Sequence, residues 1–265
     1  MGDQTGCYNV EVIMMVSHED ILKAAALLQE HHRIVAFTGA GVSVESGIHD
    51  FRSEGGLWSR YDPAIYATIE GFLNHPENYW TMAKELGPQI LAAQPNAAHL
   101  ALADLERMNK LHCVITQNID FLHTRAGNSY VLELHGTYRT CHCLDCQTEY
   151  SREHIIERLE ADDMPPRCSC GGLIKSDTVL FGEPLPADVV QQADTETRRA
   201  DVMIVVGSSL SVYPAASFPL VAKENHAKLI IVNKEPTPFD RLADVNLRGE
   251  AGKILPLVVE ELQKE

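Results

Sequence analysis

No apolar run in this 265-residue chain approaches the roughly 18 to 20 residues that a membrane-spanning helix needs. No lysine or arginine precedes Lys23, so the basic start of a secretory signal is missing. Gly2 follows Met1, but position 6 is Gly6 instead of serine or threonine, and the myristoylation pattern fails. Positive charge is scarce as well: 22 lysines and arginines face 37 aspartates and glutamates, a formal net charge of −15. Such an acidic surface repels phosphate backbones and argues against direct nucleic-acid binding. It favours basic partners such as lysine-rich protein segments, and it also serves plain solubility. The expectation from these absences is a soluble, cytoplasmic protein, with a monomer as the simplest state.

What is present fits an ordinary globular chain, with 45% apolar and 22% charged residues, enough for one large or two small domains. Short apolar runs at 33–38, 111–116, 131–134, 202–206 and 228–232 read as buried strands. Ile21, Leu22, Ala25, Leu27 and Leu28 recur at helical spacing behind a Ser17 cap with Asp20, and 97–108 and 214–225 also read as helices. This alternation predicts an α/β fold, a Rossmann-like parallel sheet with helices on both faces. Residues 1–16 show no clear period, and no internal repeat or low-complexity tract is present. Stretches 50–96 and 136–178 break the rhythm. They are expected to form a smaller domain on the functional edge of a sheet domain made of 1–49, 97–135 and 179–265.

The segment Gly39-Ala40-Gly41-Val42-Ser43-Val44-Glu45-Ser46-Gly47 follows the first strand. Small residues there let a pyrophosphate approach the backbone, with a helix N-terminus supplying N–H donors. The dehydrogenase fingerprint is absent: Val44 stands where the third glycine belongs, and no acidic residue ends an adjacent second strand. On residues alone, a nucleotide site and a plain tight turn are equal readings. Ile48-His49-Asp50-Phe51-Arg52 then reads as a lid over a charged ligand. Thr116-Gln117-Asn118-Ile119-Asp120 ends a strand and suits hydrogen bonding to a ribose and an amide, or else a helix cap by Asn118 or Asp120. His135 lies between a buried strand and Gly136, where a near-neutral imidazole can exchange protons; a structural histidine is the alternative. Gly207-Ser208-Ser209 and Asn233-Lys234-Glu235 also end strands, and suit a ribose and phosphates. Thr178–Glu183 is either a core strand or a backbone that an extended peptide joins as an added strand.

Five of the seven cysteines fall between Cys141 and Cys170, the others being Cys7 and Cys113. In a cytosolic protein such clustering points to metal more than to disulfides. Cys143-x-x-Cys146 and Cys168-x-Cys170 together close a tetrahedral Zn²⁺ site with no open position, a folding element and not a catalyst. Redox and packing roles are the alternatives, as is a register in which Cys141 replaces Cys143. The C-x-x-C spacing favours Cys143. The shorter C-x-C strains its turn, which Gly171-Gly172 relieves.

Gly39–Arg52 resembles the sirtuin signature GAGxSxxSGIxDFR, with His49 where proline is common. TQNID at 116–120, VxFGE at 179–183 and GSSLxVYPAA at 207–216 are similar to further sirtuin motifs, and the resemblance extends over residues 18–260. It implies an NAD-dependent protein lysine deacylase, most simply a deacetylase. NAD is then a consumed co-substrate, and Cys143, Cys146, Cys168 and Cys170 hold a structural zinc. By the same resemblance, Gly39, Ala40, Gly41, Ser43, Gly47, Ile48, Asp50, Phe51 and Arg52 line the NAD site. Gln117 and Asn118 contact the nicotinamide ribose, beside Ile119, and Asp120 holds the carboxamide. Gly207, Ser208, Ser209, Asn233, Lys234 and Glu235 take the adenosine end, with Ala251 near the adenine.

The implied reaction starts with attack of the acyl-lysine carbonyl oxygen on ribose C1′ and loss of nicotinamide. His135 is the general base, acting on a ribose hydroxyl, with Asn118 as its catalytic companion. Water then releases lysine and O-acyl-ADP-ribose. Val179, Phe181, Gly182, Glu183 and Val212 are the implied substrate contacts, Val212 pairing with the segment around Gly182. Sirtuins that prefer acidic acyl groups carry Tyr-x-x-Arg; here Tyr79-Trp80-Thr81-Met82 has no such arginine, so neutral acyl groups are expected. A mono-ADP-ribosyltransferase and a non-catalytic NAD-binding scaffold are the alternatives, and the pair His135 and Asn118 argues against the scaffold.

Overall fold

Ser17 opens helix α1 (His18–Glu30) by accepting the Asp20 N–H at 3.1 Å, and Ile21, Ala24, Ala25 and Leu28 form the helix's buried stripe. The computed structural model describes residues 16–48 and 56–264. Asp50, Phe51 and Arg52 of the expected lid, like Cys7, lie outside the described residues. The chain continues through β1 (Ile34–Thr38), α2 (Pro63–Tyr66), α3 (Ile69–Asn74), α4 (Pro76–Ala92), α5 (Ala97–Arg107), β2 (Leu111–Thr116), α6 (Leu122–Ala126) and β3 (Val131–Glu133). Then come β4 (Gly136–Cys143), β5 (Glu149–Ser151), α7 (Arg152–Glu160), β6 (Ile174–Thr178), α8 (Ala187–Arg198), β7 (Val202–Val206), α9 (Phe218–Glu224), β8 (Lys228–Asn233), β9 (Val245–Arg248) and α10 (Ala251–Gln263).

Six strands pair in parallel in the order β3-β2-β1-β7-β8-β9. The chain leaves β1 to one side for β2 and β3 and to the other for β7, β8 and β9. The switch of direction therefore falls between β1 and β7, and the crevice outside such strand ends is where open α/β sheets bind ligands. Continuously apolar strands follow from burial on both faces. Ile34 and Ala36 pack against the α1, α5 and α10 side, while Val35 and Phe37 pack against Ala193 of α8 and Phe218 of α9. Full burial of each large side chain in this way contributes about 1.5–3 kcal/mol.

β4, β5 and β6 form a second, antiparallel sheet in the order β5-β4-β6. Cys141, Cys143 and Ile174 from this sheet share one apolar cluster with Phe72, Tyr79, Trp80 and Met82 of α3 and α4 and with Ile155 and Leu159 of α7.

One expected element starts elsewhere, and one strand was not expected. The helix expected over 214–225 begins only at Phe218, after a single 3-10 turn at Ala215–Ser217, with Pro219 in its first turn. Proline lacks the N–H that a helix interior uses but is tolerated in the first turn. β9 was not expected. It is a four-residue edge strand that buries Val245 and Leu247 and exposes Asn246, so it has no continuous apolar run.

Candidate active site

The C-terminal ends of β1, β2, β3 and β7 bring together the sequence-selected residues of 39–43, 117–120, His135 and 207–208. Beyond β1 the chain makes two single 3-10 turns, Ala40–Val42 and Val44–Ser46, where an α-helix N-terminus was expected. The glycines there serve a close crossing. Gly39 N–H donates to Val206 O at 3.1 Å and Gly41 N–H to Gly207 O at 2.8 Å. A Cβ on Gly41 would stand 2.8 Å from that oxygen, so only glycine lets the two loops meet at the switch point. Ala40 and Ile48 are half-buried and Gly47 is exposed, with φ +85.

Ser43, buried, is the hub of the polar side chains. Its hydroxyl donates to Asp120 Oδ2 at 2.7 Å and accepts from Asn118 Nδ2 at 3.0 Å. Asn118 also donates to Gly39 O at 3.2 Å, and Asp120 Oδ1 accepts the Leu122 N–H at 2.9 Å. Asp120 thus does act as a local cap, and it does so while bound to Ser43. Ile119 O accepts the Tyr138 N–H at 3.0 Å, fastening this loop to β4.

His135 leaves β3 and binds the Gln117 carbonyl through Nδ1 at 2.8 Å. A carbonyl only accepts, so Nδ1 carries the proton and Nε2 keeps a free lone pair. Burial pulls the imidazole below the usual histidine range, with the Gln117 carbonyl opposing it. The ring is therefore a neutral acceptor near pH 7. Its own carbonyl accepts the Val179 N–H at 2.8 Å, which sets the segment 179–183 beside it. Phe181 is 43% exposed although its backbone is paired on both sides, with Ala67 O and Ile69 N–H. An added peptide strand therefore has the neighbouring backbone, not that of Phe181, to pair with. Val212 is half-buried and its carbonyl accepts Ala216 N–H; among the described residues no hydrogen bond joins it to Gly182.

Gln117 Nε2 donates to the buried Ser208 Oγ at 2.8 Å, tying β2 to the loop after β7. Ser209 is exposed and exchanges a hydrogen bond with Ser211. Asn233 ends β8 with its amide on Glu235 O at 2.7 Å, while Lys234 and Glu235 are exposed. Ala251 is buried at the start of α10, and the next N–H, that of Gly252, donates to Glu45 Oε2 at 2.7 Å. A carboxylate from the glycine loop thus already covers this helix N-terminus.

Two histidines were missed by sequence reasoning. His99 is fully buried, accepts Asn96 N–H at Nδ1 and approaches Ser43 Oγ with Nε2 at 3.5 Å. Burial lowers its pKa to about 4, against a pull upward from Asp120. His123 lies 4.7 Å from it between ring centres and meets Thr38 Oγ1 at 2.9 Å, and burial drives it well below the usual value too. The available signal was Asn96-x-x-His99, a capping-box spacing, which says nothing about proximity to Ser43.

The four Sγ atoms of Cys143, Cys146, Cys168 and Cys170 lie within 4.8 Å of one another, with pairs at 3.4 to 3.5 Å. Zinc–sulfur bonds of about 2.3 Å give a tetrahedron with edges near 3.8 Å, so the set fits zinc without large movement. Cys170's backbone N–H, aided by the Tyr150 hydroxyl, pulls the Cys168 thiol down to about 5. Cys170 gains from the Gly172 N–H, yet its neighbouring sulfurs outweigh this and push it up to about 12. Four crowded thiols cannot all ionise without a cation among them, which is the condition a dication satisfies. Cys141 lies outside the cluster, fully buried, its thiol pushed up to about 11 by burial. A Cβ on Gly172 would stand 2.6 Å from Cys143 Sγ, and Gly171 takes φ +92, so the short knuckle does need its two glycines.

Residues 39–214 match the Sir2 family model. The NAD-dependent protein deacylase 2 of Archaeoglobus fulgidus is 47% identical, over 93% of this chain and 97% of its own. The NAD-dependent protein deacetylase of Sulfurisphaera tokodaii is 43% identical, over 92% and 96%. A Sir2 solved with a p53 peptide and NAD+ superposes with a TM-score of 0.85 at 41% identity, covering 92% of this chain and 98% of its own. With a sequence and a fold that both agree over this length, the chain belongs to the Sir2 family.

Proposed function

We propose that this chain is an NAD-dependent protein lysine deacetylase that moves the acyl group to ADP-ribose and releases nicotinamide. One observation carries the reading. A neutral histidine, its Nδ1 proton fixed on Gln117 O, stands past the C-terminal end of β3, bonded to the loop that carries Asn118 and Asp120 to Ser43 and next to segment 179–183. NAD, when bound, supplies a labile nicotinamide–ribose bond and an electrophilic C1′.

The chain's residues do the rest. His135 Nε2 accepts the proton of a ribose hydroxyl at working pH. Gln117 and Asn118 hold the ribose, and Asp120, oriented by Ser43, takes the carboxamide. Gly39, Ala40, Gly41, Gly47, Ile48 and Ile119 shape the surrounding walls and exclude water. Gly207, Ser208, Ser209, Asn233, Lys234, Glu235 and Ala251 serve the adenosine half. Val179, Phe181, Gly182 and Val212 receive an acyl-lysine peptide as an extended strand. Neutral acyl groups are preferred, because Met82 stands three residues after Tyr79 and both are buried.

The four cysteines hold a structural zinc. The sheet domain comprises 1–49, 97–135 and 179–265, and the smaller one 50–96 with 136–178. We further propose that the enzyme acts in the cytoplasm as a monomer and binds no nucleic acid directly. No helix among the described residues is long and apolar enough to cross a membrane.

The test is an acetyl-lysine peptide incubated with the protein, with and without NAD, read by mass. Loss of acetyl only with NAD, together with O-acetyl-ADP-ribose, supports the reading. A gain of ADP-ribose mass on protein would replace it with ADP-ribosyl transfer.

A further inference from the structure

Glu183, expected among the substrate contacts, has its carboxylate turned into the protein. Oε2 accepts the Leu180 N–H at 2.7 Å and meets Lys175 Nζ at 2.9 Å. Lys175, on β6, is 5% exposed and also donates to the carbonyls of Ser176 and Thr178 at 2.9 and 2.8 Å. An ammonium has three protons, and all three are used. The loop clasped in this way closes on itself through Glu183 N–H to Leu180 O at 3.0 Å, with Gly182 at φ +90. Phe181 is tied by its backbone to Ala67 and Ile69, and Val179 to His135 O. One short segment is thus fastened to the cysteine-bearing sheet, to the helical stretch and to the candidate base.

We propose that Lys175 is a positioning residue for the acyl-lysine substrate: its ammonium holds the 179–183 turn in the shape that accepts the peptide, without touching the peptide itself. The inference rests on the deacylase reading above. Removing the buried ammonium leaves the Glu183 carboxylate with the Leu180 N–H but no cation, and takes a donor from the Ser176 and Thr178 carbonyls, so the turn must rearrange to compensate them. Displacement of a positioning element by about 1 Å can cost up to about a hundredfold. The residues assigned to NAD have ties of their own besides the link through His135, Gly41 to Gly207, Gln117 to Ser208 and Asn118 to Gly39, so NAD binding is expected to be spared.

The experiment compares wild type with Lys175→Met, Lys175→Arg, Glu183→Gln and the Lys175→Met/Glu183→Gln pair. It measures KM for an acetyl-lysine peptide, KM for NAD, zinc content, and peptide Kd by fluorescence anisotropy. Lys175→Met is expected to raise peptide KM by about ten- to a hundredfold, with NAD KM and zinc content within about twofold of wild type. Lys175→Arg restores most of the loss, and the double variant recovers part of it because no unpaired charge remains. A folded Lys175→Met with wild-type peptide KM, or peptide and NAD KM rising together, overturns the inference. If Lys175→Met does not fold, Glu183→Gln decides on the same two readouts. A wild type that binds the peptide without deacylating it sinks the deacylase reading alone, and peptide Kd across the variants then judges Lys175. A wild type that binds no acyl-lysine peptide overturns both.

Discussion

The bond from His135 Nδ1 to the Gln117 carbonyl decides which ring nitrogen is left to act. Replacing His135 with alanine is expected to lower kcat by about 10²–10⁴-fold while NAD still binds. The pH profile carries a sign. A base works in its deprotonated form, and burial holds His135 below the ordinary 6.5, so the acid limb of kcat/KM should have its midpoint below 6.5. A midpoint above that value would contradict the assignment. His99 gives a stability counterpart. Its folded pKa of about 4 lies below the unfolded 6.5, so the unfolded chain binds more protons between those values, and stability falls as pH drops from about 6.5 to about 4. His99→Gln should flatten that slope in melting temperatures taken at pH 7 and pH 5; an unchanged slope would assign it elsewhere. At this scale, His135 and the 117–120 loop were readable because each directly follows an apolar strand. His99 and His123 were not, since a lone histidine in a helical pattern looks the same whether it neighbours Ser43 or only fills a core.

Among the elements, the loop after β1 shows how one cue supports two explanations. Gly39 and Gly41 were read as room for a pyrophosphate, and the structure gives them a second reason, contact with Gly207. Gly41→Ala should therefore destabilise the fold by about 1–3 kcal/mol through overpacking and weaken NAD binding. Melting temperature and titration calorimetry would show both; an unaltered melting temperature would remove the packing argument. The inner strands β1, β2, β7 and β8 were legible because burial on both faces demands nearly unbroken apolar runs. β9 was illegible because an edge strand with one wet face needs only Val245 and Leu247. The helix at 214–225 was placed too early because apolar periodicity does not register the start that Pro219 sets.

Over the whole molecule, the two sequence interruptions share a core that neither could build alone. Cys143 and Cys168 pack in the same cluster as Phe72 and Trp80, so the metal cluster and the helical stretch should stand or fall together. Removing zinc with a chelator is expected to abolish peptide deacetylation and to expose this core, while the six-stranded sheet keeps its far-ultraviolet signature. Retention of full activity after metal loss, checked by elemental analysis, would contradict the structural role. The union of the two stretches was expected from the sequence, but not which residues meet: Trp80 and Cys168 are far apart along the chain and no local pattern reports their shared core. The shared core has an optical consequence. The chain contains two tryptophans, Trp58 and Trp80, and both belong to this cluster, Trp80 fully buried and Trp58 packed against it. Tryptophan emission from the intact protein therefore comes from one module only. A red shift on chelation reports that module opening while the sheet stays dark, so the protein carries its own unlabelled probe for the order in which its two parts unfold.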